Sequence, residues 1–319
     1  MIGVYGAGAF GTALAISIAT KGEQVILGGR DADALQVMQK DRVNAKRLPD
    51  CVFPRTLRAV SDHAELNEAD VILLVTPAQA LRDALRTLNP KTKIILCAKG
   101  IEQSTGLLQS QIAAEFIDPD NIFVLSGPGF AREIATARPT ALSIAGTDQT
   151  ALLDLQNRLS SKTLRLYSNV DPLGVQLGGA LKNIYAIACG LVIGADLGES
   201  ARAAVMTRSF AEMTRFAKSV GADPQTLFGL SGFGDLVLTC STEKSRNFAH
   251  GLALARDGLF EPDHTVEGIA TTHAVAAMAD AQQVDLPICQ MLAHFLKGQK
   301  SFEDIQAQLL ARPLKEEQS

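Results

Sequence analysis

The stretch "IGVYGAGAFGTALA", residues 2–15, constrains the fold more than any other part of this chain. Gly6, Gly8 and Gly11 are spaced G-x-G-x-x-G, directly after a short apolar run and at the start of a helix-forming segment. In a strand–turn–helix that binds a dinucleotide each glycine has its own use. Gly6 permits the tight turn, Gly8 lets a pyrophosphate approach the backbone, and Gly11 lets helix and strand pack closely. The helix N-terminus adds a field that attracts the phosphates. A purely structural glycine turn has the same spacing, so the pattern needs its context. That context continues through the first half, where "QVIL", "VILLV", "KIILCA", "IFVLS" and "ALSIAG" are separated by helical patterning such as "AFGTALAISIATKG" and "SQIAAEF". The alternation predicts an α/β architecture, a mainly parallel sheet with helices on both faces.

After about residue 170 the texture changes to alanine-, leucine- and methionine-rich segments such as "ARAAVMTRSFAEMTRFAKSVG" and "GIATTHAVAAMADAQQ". This predicts a helical second half. Its first segment, "VQLGGALKNIYAIACGLVIGA", holds Lys182 as the single charge among the twenty-four residues between Asp171 and Asp196. The run is long enough to span a bilayer, but Gln176, Lys182 and Asn183 near its centre would be expensive in lipid. A buried helix of a soluble protein fits better. On a helix, Gly178, Gly179, Tyr185 and Ala186 lie three and four residues from Lys182, a small-residue face that leaves room for a ligand.

Hydrophobic residues make up 47% of the 319 and charged residues 20%, which excludes disorder and suggests two domains. A net charge of −4 argues against broad electrostatic binding of nucleic acid and leaves room only for a local anion site. Cys51, Cys97, Cys189, Cys240 and Cys289 form no CxxC pair, so reduced intracellular thiols are expected. With a strand expected from residue 2 and no basic-plus-apolar leader before it, the protein reads as cytoplasmic. His63, His250, His264, His273 and His294 are scattered without metal-ligand spacing, and no G-x-S-x-G motif occurs. Neither a metal site nor hydrolase chemistry is expected.

Four further stretches bear on chemistry. In "VILGGRD", Gly29 and Arg30 stand where an acid would bind the adenosine ribose and repel a 2′-phosphate, which favours NADP over NAD. Asp31, at the distance from Gly11 where such an acid often stands, points the other way. "ILCAKGIE" puts Lys99 just past a strand, at the edge where ligands of open α/β sheets bind; a solvated loop lysine would look the same. "LSGPGFARE" sets Ser126, Gly127 and Gly129 between strand and helix, a turn suited to an anion or a carboxamide and equally an ordinary connection. In "GLSGFGDLVLTCSTEKSRNFAHG", Gly232 and Gly234 precede Asp235, and Ser245, Arg246 and Asn247 gather a guanidinium fork and two small polar groups. The combination suits a phosphate, whereas Arg246 alone reads as a solvated helix residue.

Taken in order, "GAGAFGTALA", "KGIE", "SGPGFA", "GGALKNIYAIACG", "GFGDLVLTC", "SRN" and "VEG" resemble the bacterial-type NAD(P)-dependent glycerol-3-phosphate dehydrogenases nearly end to end. The resemblance implies an NAD(P)-binding Rossmann domain over residues 1–170, an all-helical substrate and catalytic domain over 171–319, and an active site in the cleft between them. It implies reversible hydride transfer between NAD(P)H and dihydroxyacetone phosphate, giving sn-glycerol 3-phosphate for glycerophospholipid synthesis, in a cytoplasmic homodimer. Carried over by motif, Lys182 is the proton donor and acceptor, with Lys99 and Asp235 in the same catalytic group. Burial would lower the pKa of Lys182 toward the operating pH, with Asn183 and Asp235 opposing the shift. Substrate contacts fall on Lys99, Gly127, Gly129, Lys182, Asn183, Asp235, Ser245, Arg246 and Asn247, with Arg246 as the phosphate clamp. Cofactor contacts fall on Gly6, Gly8, Ala9, Phe10, Gly11, Arg30, Lys99, Ala131, Arg246, Thr265 and Glu267, with NADP preferred and NAD the alternative.

The chain departs from the family pattern at four positions. Gly129 stands where serine or threonine is usual, Phe10 where tryptophan is common, Ser200 where asparagine is common, and Ser209 where glycine is common. Two other readings share part of the pattern. A 3-hydroxyacid or ketopantoate-type reductase has the same two-part plan and central lysine but a carboxylate substrate. A non-catalytic NADPH-binding regulator would need neither Lys182 nor Lys99.

Overall fold

The computed structural model describes residues 1–89, 91–256, 266–301 and 304. Among the described residues ten strands are present: β1 (Ile2–Tyr5), β2 (Val25–Gly28), β3 (Val43–Asn44), β4 (Leu48–Val52), β5 (Leu57–Ala59), β6 (Val71–Leu74), β7 (Lys93–Leu96), β8 (Ile122–Ser126), β9 (Thr140–Ala145) and β10 (Leu164–Asn169). Eight form one sheet in the order β10-β9-β8-β7-β6-β1-β2-β5, and β3 pairs with β4 in a separate hairpin. Neighbours in the large sheet run parallel except β8 and β9, which are antiparallel. The sheet is mainly parallel, as expected, with β9 and β10 reversed relative to the other strands. Six of the ten strands correspond to the apolar runs named above. The others are short or, like β10 with its alternating buried and exposed residues, belong to a sheet edge and carry no continuous apolar run.

Both faces of the sheet are covered, which is why the central strands read as unbroken apolar runs. Alternate side chains enter different cores: Val71 and Leu73 join one, Ile72 and Leu74 the other. The helices Ala9–Thr20, Ala32–Asp41 and Gln149–Leu159 cover the first face, and Leu81–Leu85 and Gln109–Ala113 the second.

Just past β10 the chain enters its longest helix, Pro172–Gly194. Asp171 starts it by accepting the Gly174 N–H at 2.9 Å, and Pro172 occupies the first turn, where its missing N–H costs nothing. The helices Gly198–Ser219, Arg246–Ala255, Glu267–Gln282 and Pro287–Leu296 surround it and share its core. Among the described residues it is the one helix long and apolar enough to cross a membrane, and 89% of its apolar window is buried inside the protein. The five cysteines are free and buried. His264 and Thr265, and the last fifteen residues of the expected second domain, lie outside the described residues.

Candidate active site

Lys182 sits midway along the central helix and is buried. Its Nζ donates to Asp235 Oδ1 at 2.6 Å and to Thr239 Oγ1 at 2.7 Å. Lys99, in the loop after β7, donates to the other carboxylate oxygen, Asp235 Oδ2, at 2.7 Å and to the Gly127 carbonyl at 3.0 Å. One carboxylate, 1% exposed, thus serves two ammonium groups, one from the loop after β7 and one from the central helix. With both lysines protonated the group carries one net positive charge, ready for an anion that develops nearby. Asp235 opens the helix Asp235–Thr239 directly after a π-helical turn, Leu230–Gly234. Thr239 lies four residues on, hence on the same face, and its hydroxyl also reaches Asp235 Oδ1 at 3.2 Å.

Burial is the larger influence on Lys182 and pulls its pKa down to about 8; the Lys99 charge acts in the same direction and Asp235 opposes both. For Asp235 burial pushes upward, but the two ammonium groups outweigh it and hold the carboxyl below its usual range. The small face beside Lys182, expected to leave room for a ligand, is filled by protein instead. A Cβ on Gly178 would stand 2.5 Å from the Ser231 carbonyl, and one on Gly179 would stand 2.3 Å from Ser126 Oγ. Residue size predicts the close approach but not what makes it.

The glycine turn at the N-terminus divides its work as the spacing suggests. Gly6 has φ +127°, and a Cβ there would meet the Val75 carbonyl at 2.4 Å; a Cβ on Gly8 would meet nothing within 4 Å. The first is demanded by the protein and the second faces open space. Gly8 begins the helix Ala9–Thr20 without a side-chain cap, and the first turn holds no acidic residue, so its amides and positive field fit a pyrophosphate. Asn44, buried in the hairpin, braces the turn by donating to the Ala7 carbonyl at 3.0 Å and to Thr12 Oγ1 at 2.8 Å. Phe10 turns its ring toward Lys99, whose Nζ lies 5.9 Å from the ring centroid. At the tip of β2, Arg30 is exposed, whereas the Asp31 carboxylate accepts the Ala34 N–H at 3.0 Å and caps the next helix. Glu267 Oε1, at the start of the helix Glu267–Gln282, accepts the Ala78 N–H at 3.3 Å and faces the opposite charge of Arg246. Ala131 opens the short helix Ala131–Ala135.

In the expected phosphate set, Ser245 caps the helix Arg246–Ala255 by accepting the Phe248 N–H at 3.3 Å, and Arg246 is exposed on its first turn. The amides of Asn183 and Asn247 bond to each other at 2.9 Å. Gly127 has φ +141°, and Gly129 is tightly enclosed: a Cβ there would lie 3.2 Å from Ile134 Cδ1 and 3.3 Å from Thr140 Cγ2. A side chain at that position would require these neighbours to give by a few tenths of an ångström. Ser209 is buried with an unpaired hydroxyl, and Ser200 is exposed. Hydrogen bonds thus join Lys99, Gly127, Lys182, Asn183, Asp235 and Asn247 in two runs that meet at Lys99. Two functional positions escape the sequence reading. Thr239 was open to recognition from its i+4 spacing to Asp235. Asn44 acts across 32 residues and left no local signal.

Residues 1–152 match the family model for the NAD-dependent glycerol-3-phosphate dehydrogenase N-terminus, and residues 171–307 match that for its C-terminus. The chain is 49% identical over 319 residues to glycerol-3-phosphate dehydrogenase (NAD(P)+) of Roseobacter denitrificans, covering 99% of both chains. To the protein of that name from Zymomonas mobilis it is 44% identical over 324 residues, covering 100% of this chain and 95% of the other. The crystal structure of glycerol-3-phosphate dehydrogenase from Coxiella burnetii superposes with a TM-score of 0.91 at 36% identity over 98% of each chain. The chain therefore belongs to the NAD-dependent glycerol-3-phosphate dehydrogenase family.

Proposed function

We propose that this protein is an NAD(P)-dependent glycerol-3-phosphate dehydrogenase that interconverts dihydroxyacetone phosphate and sn-glycerol 3-phosphate, using NADPH in preference to NADH. Its site lies between a cofactor domain, 1–170, and a helical domain, 171–319. The observation that carries the reading is the buried Lys182, which shares Asp235 with Lys99. When bound, the nicotinamide supplies or takes the hydride. As charge grows on the ketone oxygen, the Lys182 ammonium stabilises it and donates the proton. With a pKa of about 8, the same lysine returns readily to the amine that takes the alcohol proton in reverse. Asp235 and Thr239 hold Nζ in place, and Lys99 supplies the second positive charge. Arg246, with the amides of its helix start, is the phosphate clamp. Gly6, Gly8, Ala9, Phe10 and Gly11 hold the cofactor, with Ala131 and Glu267 at its flanks. The preference for NADPH is supported by Arg30 at the β2 tip, because the carboxylate of Asp31 is already used as a helix cap. The product suits glycerophospholipid synthesis, and the buried reduced thiols suit a cytoplasmic enzyme, which we take to be a homodimer.

The test is NADPH oxidation followed by absorbance with dihydroxyacetone phosphate, unphosphorylated dihydroxyacetone and a 2-keto acid in turn. Rapid turnover is expected with the phosphorylated ketone alone, slower with NADH, and reduced about 10²-fold or more in Lys182→Ala with NADPH binding retained. Turnover of the keto acid instead would overturn the assignment.

A further inference from the structure

In "KGIE" the proposed chemistry uses the lysine and leaves Glu102 without a part. Glu102 is nonetheless buried, at 6% exposure, and its carboxylate is fully engaged. Arg82 meets it with two parallel bonds, Nε to Oε1 at 3.1 Å and Nη2 to Oε2 at 3.0 Å, and the Thr105 hydroxyl donates to Oε2 at 2.5 Å. These bonds hold the carboxyl below its usual range. The same guanidinium bonds Glu115, so two carboxylates fix its direction. Gln79 grips the main chain on either side of Glu102: its Nε2 donates to the Ile101 carbonyl at 2.8 Å, and its Oε1 accepts the Gln103 N–H at 2.9 Å. Gln79 and Arg82 leave one short helical stretch, the 3₁₀ turn Ala78–Ala80 and the helix Leu81–Leu85 that follows it. That stretch lies close against the loop, since a Cβ on Gly100 would stand 2.8 Å from Ala78 Cβ.

Lys99 therefore stands between two fixed points. Before it, the Cys97 N–H donates to the Leu74 carbonyl at 2.9 Å and continues the pairing of β7; after it, the clamped Glu102 donates its own N–H to the Leu107 carbonyl at 3.0 Å. An apolar side chain could hold a loop by packing, without the cost of burying a charge. What the guanidinium fork adds is one defined distance and direction.

We propose that Arg82 and Gln79 are positioning residues: by clamping Glu102 and the main chain around it, they keep the loop after β7 in the register that seats the Lys99 ammonium on Asp235. This rests on the reading of Lys182 as the proton donor given above. The distinguishing consequence is electrostatic. The titratable groups that act on Lys182 are Asp235, Lys99 and Cys240, with the Thr239 hydroxyl bonded to it; Lys99 pulls its pKa down and Asp235 pushes it up. Once Lys99 leaves Asp235, Lys182 loses a repelling neighbour and keeps the carboxylate to itself, so its pKa rises.

The test is the pH profile of kcat/KM for dihydroxyacetone phosphate with NADPH in Lys99→Met, Arg82→Ala, Arg82→Lys, Gln79→Leu and the double variant Lys99→Met with Arg82→Ala, each checked by thermal melting. Lys99→Met should move the inflection from about 8 to higher pH. Arg82→Ala and Gln79→Leu should move it the same way by a smaller amount and lower kcat/KM about ten-fold. Arg82→Lys keeps the charge without the fork and should not restore the original profile. In the double variant the inflection and the rate should match those of Lys99→Met alone, because Arg82 acts through Lys99. Gln79→Leu leaves the ion pair intact and serves as the test if the Arg82 variants yield too little folded protein. An inflection that moves in Lys99→Met but stays near 8 in the Arg82 and Gln79 variants, whatever their activity, would overturn the positioning role and leave the proton-donor reading intact. An inflection unmoved in Lys99→Met itself would overturn that reading, and the positioning role with it.

Discussion

Lys182 is held between two pressures, desolvation that favours the amine and the Asp235 charge that favours the ammonium, and its pKa near 8 is their balance. The sign of the resulting pH dependence differs with direction. Ketone reduction needs the ammonium, so kcat/KM should fall as pH rises through about 8; alcohol oxidation needs the amine, so kcat/KM should rise through the same value. Rate profiles in both directions check this, and an inflection of the same sense in both directions would remove Lys182 from proton transfer. For folding, the value below 10.5 means that burying this lysine costs stability under pH 8, a cost that fades as pH rises toward 10.5. A lone lysine in an apolar helix was visible in the sequence as an anomaly, and so was the aspartate after a glycine-rich turn. Their sharing of one carboxylate with Lys99 was not, because the partners lie 53 and 136 residues from Asp235.

At the scale of elements, the contact that sets the helix carrying Lys182 is its crossing with Arg246–Ala255. Backbone meets backbone there: a Cβ on Gly251 would stand 2.0 Å from the Ile187 carbonyl, and one on Gly190 would stand 2.1 Å from the Phe248 carbonyl. Neither neighbour is a flexible side-chain tip that can swing away. Gly251→Ala is therefore expected to cost about 3 kcal/mol or more, since the helices must separate and lose packing along their length. Urea denaturation monitored by circular dichroism measures the loss; a cost under about 1 kcal/mol would mean that the crossing yields easily. The glycines were legible as small positions on a helix. Sequence periodicity marks a face as small but does not say whether a ligand, a π-helical turn or another helix occupies it, and at Gly178 and Gly179 the occupant is protein.

Across the whole molecule, the two halves are clasped by the Lys99–Asp235 ion pair, by Asn183 on the Lys99 carbonyl and by Glu267 on the Ala78 amide. In the proposed reading a cofactor contacts both halves and stabilises them together by mass action. NADPH at 100 times its dissociation constant should add about 2.7 kcal/mol, which raises Tm by roughly 4 °C for a chain of this size. At equal concentrations NADPH should raise Tm more than NADH. The opposite order in a thermal-shift titration would assign the preference to NADH and leave Arg30 without its proposed role.

Those features that work within a dozen residues were determined by the sequence alone. The glycine turn between strand and helix, the unbroken apolar runs of a sheet covered on both faces, and the change to helical texture near residue 170 each follow from local sterics and periodicity. Tertiary structure alone decided the reversal at β9, the filling of the glycine face beside Lys182, and the pairing of Asn183 with Asn247. The physical reason is common to all three. Hydrogen-bond partners, close approach and desolvation are properties of elements brought together from distant parts of the chain, and a residue's own neighbours in sequence do not encode which surface will meet it.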